Sequence, residues 1–297
     1  MYGYYNVNNR KMYVYTGNNG GIPVLYIHGA PGIGVLDIEQ YQSRYFEKDY
    51  YLVAPEQRGV WRSQELFQNE EYDLDMIIED YEELRKQLGI KEWIVLCHCM
   101  GARTAIKYYN RYPKVISMML FENPVLDSLS PFESIIKIQL SLIKQSNEEE
   151  YERCSAQVAN IHNPLQLEEF CRKLEKNTNI EANNLIMSTV TVKKVSGIKD
   201  KFDIDLFMRS RKTEIKMSHS QSLYERIYYM VDNISVPLLI IYGKNDIVVP
   251  KNVINEIRKR VLKCDVQVFE NCKHWVHLDD EQGYFRVVNN FITENLV

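Results

Sequence analysis

Five short apolar runs, spaced along the chain and separated by amphipathic stretches, constrain this sequence more than any other feature. They are Pro23 to His28 (PVLYIH), Tyr51 to Pro55 (YLVAP), Glu92 to His98 (EWIVLCH), Val115 to Glu122 (VISMMLFE) and Val236 to Gly243 (VPLLIIYG). Each is strand-length, and each reads apolar throughout rather than alternating, as a strand buried on both faces must. Between them lie helical patterns. Leu74, Ile77, Ile78, Tyr81, Leu84 and Leu88 recur at helical spacing before Gly89, and Met100 to Tyr112 runs up to Pro113. Lys251 to Val261 and Glu281 to Asn295 read as further helices around the strand Asp265 to Phe269. Strands and helices alternating in this way predict an α/β fold with a mostly parallel sheet covered by helices on both faces. At the start of the chain, Tyr2 to Val7 and Lys11 to Thr16 flank Asn8-Asn9, which predicts a hairpin.

One stretch breaks the alternation. From about Ser128 to Asp232 no strand run is bounded by turns. Phe132, Ile136, Leu140 and Ile143 have helical spacing, as do Leu167, Phe170, Cys171 and Leu174; Leu223, Ile227 and Val231 suggest one more helix. The expected organisation is a core of residues 1–127 and 233–297 carrying a helical insert at 128–232. The chain of 297 residues is long enough for one large domain with such an insert.

Composition excludes several classes. With 36 basic and 40 acidic side chains the net charge is −4, the opposite of a nucleic-acid-binding balance. No run approaches the ~20 apolar residues that cross a bilayer. The first residues, MYGYYNVNNRK, lack an apolar signal core, and a cytoplasmic location is expected. Six cysteines in a chain of this length do not make a disulfide framework, and no paired CxxC spacing suggests zinc. The motif set calls for no cofactor, neither metal nor nucleotide.

The chemistry centres on Cys97-His98-Cys99-Met100-Gly101, between a buried strand and a helix. A small residue, any residue, a nucleophile, any residue and glycine in that context form a nucleophile elbow, where a tight turn exposes the central side chain. Here that side chain is the Cys99 thiol. Taken alone, two cysteines at a strand end read better as buried thiols; the remaining motifs, present in the right order, reverse that reading. His28-Gly29-Ala30-Pro31-Gly32 follows the first long strand, where a loop amide contributes to an oxyanion hole, so the expected donors are the backbone N–H groups of Ala30 and Met100. Gly243-Lys244-Asn245-Asp246 places an acid at a strand end, with Asp127 as a weaker alternative. Asn271-Cys272-Lys273-His274-Trp275-Val276-His277 supplies the base, assigned to His274; His277 reads as structural or pocket-lining. The order nucleophile, acid, base (Cys99, Asp246, His274) differs from the orders of the chymotrypsin and subtilisin folds.

With these motifs in order, the sequence resembles the proline iminopeptidase branch of the α/β-hydrolase fold. The resemblance rests on HGAPG at His28, EQRGVWRS at Glu56, LGIKEWIVLCHCMGA, YGKND at Tyr242 and NCKHWVHLDD at Asn271, and spans nearly the whole core. It implies a helical cap inserted after the sixth strand. The departures are specific. Glu56 stands where the family has Asp before Gln-Arg-Gly, Val60-Trp61-Arg62 replaces a Gly-x-Gly, and Cys99 replaces Ser. The family binds a substrate's free amino group with acidic residues of the cap; no such motif is matched here, and Glu148, Glu149 and Glu150 read as a solvated helix face.

A cysteine nucleophile beside a helix N-terminus favours a thiolate and a thioester acyl-enzyme. The expected substrate is an ester, thioester, lactone or small amide or short peptide, free or carrier-bound. No residue is assigned to substrate binding. Tyr224, Tyr228 and Tyr229 read as helix packing, and Arg209, Arg211 and Lys212 as a solvated basic cluster with anion-holding as the alternative. Two other readings remain at this point: an acyltransferase or condensing enzyme using the same three residues, and a non-catalytic binding protein that kept the fold.

Overall fold

The computed structural model describes residues 1–30, 34–127, 129–161, 164–178, 185–199 and 204–296. Pro31 and Gly32 of the predicted loop, and Ser128 at the predicted insert boundary, lie outside them. The chain opens with β1 (Tyr2–Val7) and β2 (Arg10–Thr16), an antiparallel pair joined at Asn8 and Asn9. Both turn residues are left-handed, with φ 48° and 60°. A two-residue hairpin loop of this hand matches the twist of its strands, and Asn tolerates it better than other side chains.

β3 (Ile22–Ile27), β4 (Tyr50–Pro55), β5 (Trp93–His98), β6 (Ile116–Glu122), β7 (Leu238–Gly243) and β8 (Cys264–Phe269) follow, all parallel to their neighbours in this set. The eight strands form one sheet in the order β1-β2-β4-β3-β5-β6-β7-β8, with β2 antiparallel to β4. Along β3, Leu25 and Ile27 enter one core while Val24 and Tyr26 enter the other; β5 divides in the same way, Val95 and Cys97 against Ile94 and Leu96. Both faces are therefore buried, which is why these runs read apolar at every position.

In chain order the helices begin with α1 (Ser43–Phe46), α2 (Leu74–Gln87) and α3 (Gly101–Arg111). Between β6 and β7 come α4 (Ser130–Ser146), α5 (Glu148–Val158), α6 (Pro164–Thr178), α7 (Thr189–Lys199), α8 (Ile204–Ser218) and α9 (Gln221–Tyr224). The chain closes with α10 (Lys251–Arg260), α11 (Val276–Asp279) and α12 (Glu281–Asn295). α2, α3 and α10 cover one sheet face; Phe46 of α1 and Tyr284, Val288 and Ile292 of α12 cover the other. α4, α5 and α6 pack on one another through Ile135, Ile136, Ile143, Cys154, Phe170 and Leu174. α8 is tied to the loop after β4 by two buried bonds: Trp61 N–H donates to Ser210 Oγ at 2.8 Å, and Thr213 Oγ1 donates to Gly59 O at 2.9 Å.

The helix expected through Leu223, Ile227 and Val231 is broken. α9 stops at Tyr224 and a separate 3-10 turn covers Tyr228–Asn233. The cause is Arg103 of α3, buried beneath this segment, whose Nη2 donates to Glu225 O at 2.7 Å and to Ser222 O at 3.3 Å. A continuous helix would spend those carbonyls on its own amides. No helix among the described residues is long and apolar enough to cross a membrane.

Candidate active site

In an open parallel sheet, functional groups gather where the strands end at their carboxyl side. Here β3 leads to Gly29 and Ala30, β5 to Cys99, β7 to Asp246 and β8 to His274. Cys99 has φ 55°. That left-handed conformation is uncommon for a side chain with a Cβ and persists only where surroundings enforce it. Three backbone bonds do so: Cys99 N–H donates to Glu122 O at 3.0 Å, and Cys99 O accepts from Val125 N–H at 3.1 Å and Ala102 N–H at 3.2 Å. Two glycines make room. A Cβ on Gly101 would lie 2.5 Å from Ile27 O, and one on Gly29 would lie 2.9 Å from the Cβ of Cys99.

Cys99 and His274 line the same cavity, and the thiol is one of the groups that raise the imidazole's pKa. The ring's Nδ1 is 2.9 Å from Asp246 Oδ2 and donates to it. Asp246 Oδ1 accepts from Val248 N–H at 2.7 Å, which fixes the carboxylate. Burial pulls the imidazole's proton affinity down, but the Asp246 carboxylate and the Cys99 sulfur outweigh it and hold the ring's pKa well above the usual range. The loop carrying His274 is pinned through its carbonyl oxygen, which accepts from Asn123 Nδ2 at 2.7 Å and His98 Nε2 at 3.0 Å. Asn123 Oδ1 in turn accepts from Gly243 N–H at 3.0 Å, so one side chain joins the ends of β6 and β7 to the histidine loop.

The sequence thus named Cys99, His274 and Asp246, and the fold brings all three together. The alternative acid, Asp127, does not meet the imidazole; it caps the next turn, accepting from Leu129 N–H at 2.8 Å. Ala30 and Met100 both border the cavity above Cys99, and among the described residues neither amide donates a hydrogen bond within the chain. Of the tyrosines, Tyr224 lines the cavity, Tyr228 packs against the core and Tyr229 is exposed. Of the basic cluster only Arg211 lines it; Lys212 pairs with Glu65 at 3.2 Å.

His277 belongs to a network the sequence did not reveal. Its ring lies between two buried carboxylates, with Nδ1 2.7 Å from Glu122 Oε2 and Nε2 3.1 Å from Asp37 Oδ2. Its backbone N–H also donates to Glu122 Oε1 at 2.9 Å. Burial opposes charge on this ring, yet Glu122 and Asp37 prevail and lift its pKa to about 10. Burial would raise Glu122 in turn; His277 outweighs it and the carboxyl is held below its usual range. His277 is therefore an imidazolium at neutral pH. His98 stands between it and His274, with ring centroids 5.4 Å and 4.8 Å away, and burial lowers the His98 pKa to about 4, so this ring is neutral. The available sequence signal was the polar Glu122 ending an apolar strand and a second histidine three residues after the first.

The cavity above Cys99 has a volume of about 510 Å³. Val125, Phe132, Ile135, Val248 and Trp275 give it apolar walls, and Glu168, Arg172, Glu175, Arg211 and Glu214 line it from α6 and α8.

A family model described as the alpha/beta hydrolase fold matches residues 22–281. The chain belongs to the α/β-hydrolase fold family. Within that family it is similar to proline iminopeptidases. It is 35% identical over 117 residues to a putative proline iminopeptidase of Mycoplasma genitalium, a match covering 38% of this chain and 37% of that protein. With the proline iminopeptidase of Heyndrickxia coagulans the identity is 22% over 276 residues, 93% of this chain and 92% of the relative. The matches span between 27% and 37% of the first three curated relatives' own length. Among solved structures, the proline iminopeptidase of Mycobacterium smegmatis superposes with a TM-score of 0.76 over 99% of this chain and 98% of that one. At 14% identity this likeness is one of fold.

Proposed function

We propose that the chain is a hydrolase whose nucleophile is the Cys99 thiol, with His274 as general base and Asp246 orienting it. The observation that carries this reading is the left-handed Cys99 lining one cavity with His274, whose Nδ1 is 2.9 Å from Asp246 Oδ2. The same arrangement of nucleophile, base and orienting acid recurs on unrelated folds. The substrate is an ester, thioester, lactone or small amide. The resemblance to proline iminopeptidases favours a short peptide cleaved after its first residue. Residues 128–232 act as the cap over a core of 1–127 and 233–297.

With its proton held on His274 Nε2, the sulfur attacks the substrate carbonyl carbon as a thiolate. The negative charge that builds on the carbonyl oxygen faces the amides of Ala30 and Met100. Collapse of the tetrahedral adduct breaks the bond to the leaving group, which takes the proton from His274 and departs as an amine, alcohol or thiol. A thioester remains on Cys99. Water then attacks it, giving its proton to His274, and the acid leaves as the thiol is restored. Asp246 accepts from Nδ1–H throughout, so Nε2 stays directed at the sulfur whether or not it carries the proton.

The thiol itself favours a second reading, in which an amine or thiol rather than water captures the acyl group, because thioesters react more readily with those nucleophiles. One experiment separates the two. Intact mass is measured after mixing with a short acyl thioester, then during a chase with water or with an amine. The proposal expects an acyl adduct on the wild type and none on Cys99→Ala. Release in water supports the hydrolase, and release only on adding amine supports the transferase. Neither an adduct nor rapid alkylation of Cys99 would leave a non-catalytic protein.

A further inference from the structure

The cavity above Cys99 is sorted by polarity. Val125, Met217, Leu223 and Val248 belong to the packed core that Cys99 and Met100 border, and Ile135 reaches the cavity from the core of α4, α5 and α6. These five residues are between 3% and 6% exposed. The charged lining lies nearer solvent. The side chains of Arg172 and Arg211 are 49% and 30% exposed, those of Glu168 and Glu214 20% and 28%. Arg172 pairs with Glu168, Arg211 pairs with Glu214, and Glu175 also acts on Arg172, so each of these carboxylates already has a cation of the chain's own. The buried carboxylate of Asp37 borders the cavity too, and it is spent on Ile38 N–H and the His277 imidazolium. An apolar floor beside the nucleophile thus opens through a rim of closed ion pairs.

We propose that the acyl group passed to Cys99 is an uncharged aliphatic chain of medium length, seated on the floor made by Val125, Ile135, Met217 and Leu223, with its polar leaving group directed to the rim. The inference rests on the reading of Cys99 as an acylating nucleophile and narrows its substrate class. The chemistry is unchanged: the bond from sulfur to the acyl carbon forms, the bond to the leaving group breaks, and that group takes the proton from His274. A charge on the acyl side would lose its water against the floor without gaining a partner from it. An ammonium group at the rim would have to displace an arginine from its glutamate. A methylene chain, by contrast, gains with every carbon buried. Size sets the limit. A compact space of about 510 Å³ is roughly 10 Å across, and an extended chain advances about 1.2 Å per bond, so roughly eight carbons fit.

The test measures kcat/KM for N-acetylcysteamine thioesters of acetyl, butanoyl, hexanoyl, octanoyl and dodecanoyl groups. It adds the prolyl and cyclopentanecarbonyl thioesters, which share a shape and differ by one ammonium group. In the wild type kcat/KM is expected to climb about three- to fourfold per methylene to roughly eight carbons and to fall at dodecanoyl. The cyclopentanecarbonyl thioester should exceed the prolyl one by at least about tenfold. Leu223→Trp fills the floor and moves the optimum to shorter chains; Leu223→Ala enlarges it and moves the optimum to longer ones. Because each readout is a ratio within one enzyme, loss of folded protein does not imitate the effect. A profile flat from acetyl to octanoyl, a prolyl thioester preferred to its carbocyclic counterpart, or Leu223 variants that keep the wild-type optimum would overturn the inference while leaving Cys99 catalysis standing. If no thioester acylates Cys99, the proposed function fails and this inference fails with it.

Discussion

Glu122→Gln isolates the buried network beneath the catalytic histidine. The substitution keeps the shape of the side chain and removes its charge, leaving the His277 imidazolium with Asp37 alone. Glu122 and Asp37 are both buried, their oxygens 2.7 Å and 3.1 Å from the ring nitrogens. Removing one partner of a buried, hydrogen-bonded ion pair costs about 3–5 kcal/mol. Linkage gives a similar figure. His277 moves from an ordinary 6.5 to about 10, and at 1.36 kcal/mol per unit this is roughly 5 kcal/mol of stability. Because this pKa is raised, the contribution is complete below pH 6.5 and disappears as pH rises through 10. Glu122 is depressed, so its own contribution is present above its ordinary 4.5 and lost as pH falls through its lowered value. Between about pH 5 and 9 the pair is intact. Circular-dichroism melts under reducing conditions should place Glu122→Gln some 10 °C below wild type at pH 7, taking about 2–4 °C per kcal/mol for a chain of this size. The gap should narrow by pH 10.5, where the wild type has lost the imidazolium that pairs with Glu122. A variant melting within about 2 °C of wild type at pH 7, or a gap unchanged at pH 10.5, would refute the reasoning.

Other substitutions test the site directly. Asp246→Asn should slow acylation of Cys99 by roughly two orders of magnitude or more, read by stopped-flow with a chromogenic ester, since Val248 N–H holds the amide oxygen and turns the NH2 group, a donor without charge, toward Nδ1. Gly29→Ala puts a Cβ 2.9 Å from the Cβ of Cys99 and 3.2 Å from His98 O. It should cost at least about tenfold in acylation, by displacing the sulfur from the base; an alanine enzyme of wild-type rate would show the elbow to be loose. Ser210→Ala removes the hydroxyl that accepts from Trp61 N–H at 2.8 Å, a cost of about 0.5–1.5 kcal/mol for the lost hydrogen bond at the junction of α8 with the core. Faster amide hydrogen exchange across Ile204–Ser218 would register it, and unchanged protection would argue that Ser210 does not anchor the helix.

What the sequence disclosed follows from which forces act locally. The sheet was legible because its strands are buried on both faces, so Pro23 to His28 and its counterparts read as unbroken apolar runs. His274 was legible from the order of nucleophile, acid and base along the chain, and the elbow and Asp246 because each sits where a strand must turn, beside Gly101 and Gly243. The first hairpin was visible in Asn8-Asn9 for the same reason. The helices between β6 and β7 were only partly visible. α8 was missed because its face toward the cavity carries Arg211, Glu214 and Ser218 rather than an apolar stripe. The break after Tyr224 was missed because Arg103, over a hundred positions away in the chain, takes the carbonyls that would have continued the helix. The Glu122–His277–Asp37 network joins three distant segments, and no local pattern announces it.

The intact mass of the protein during turnover of a short acyl thioester decides whether Cys99 is the nucleophile. A single acyl adduct is expected, which peptide mapping places on Cys99, which is absent from Cys99→Ala, and which forms far more slowly in His274→Ala. An adduct that persists in Cys99→Ala, or that maps to another of the six cysteines, would contradict that assignment.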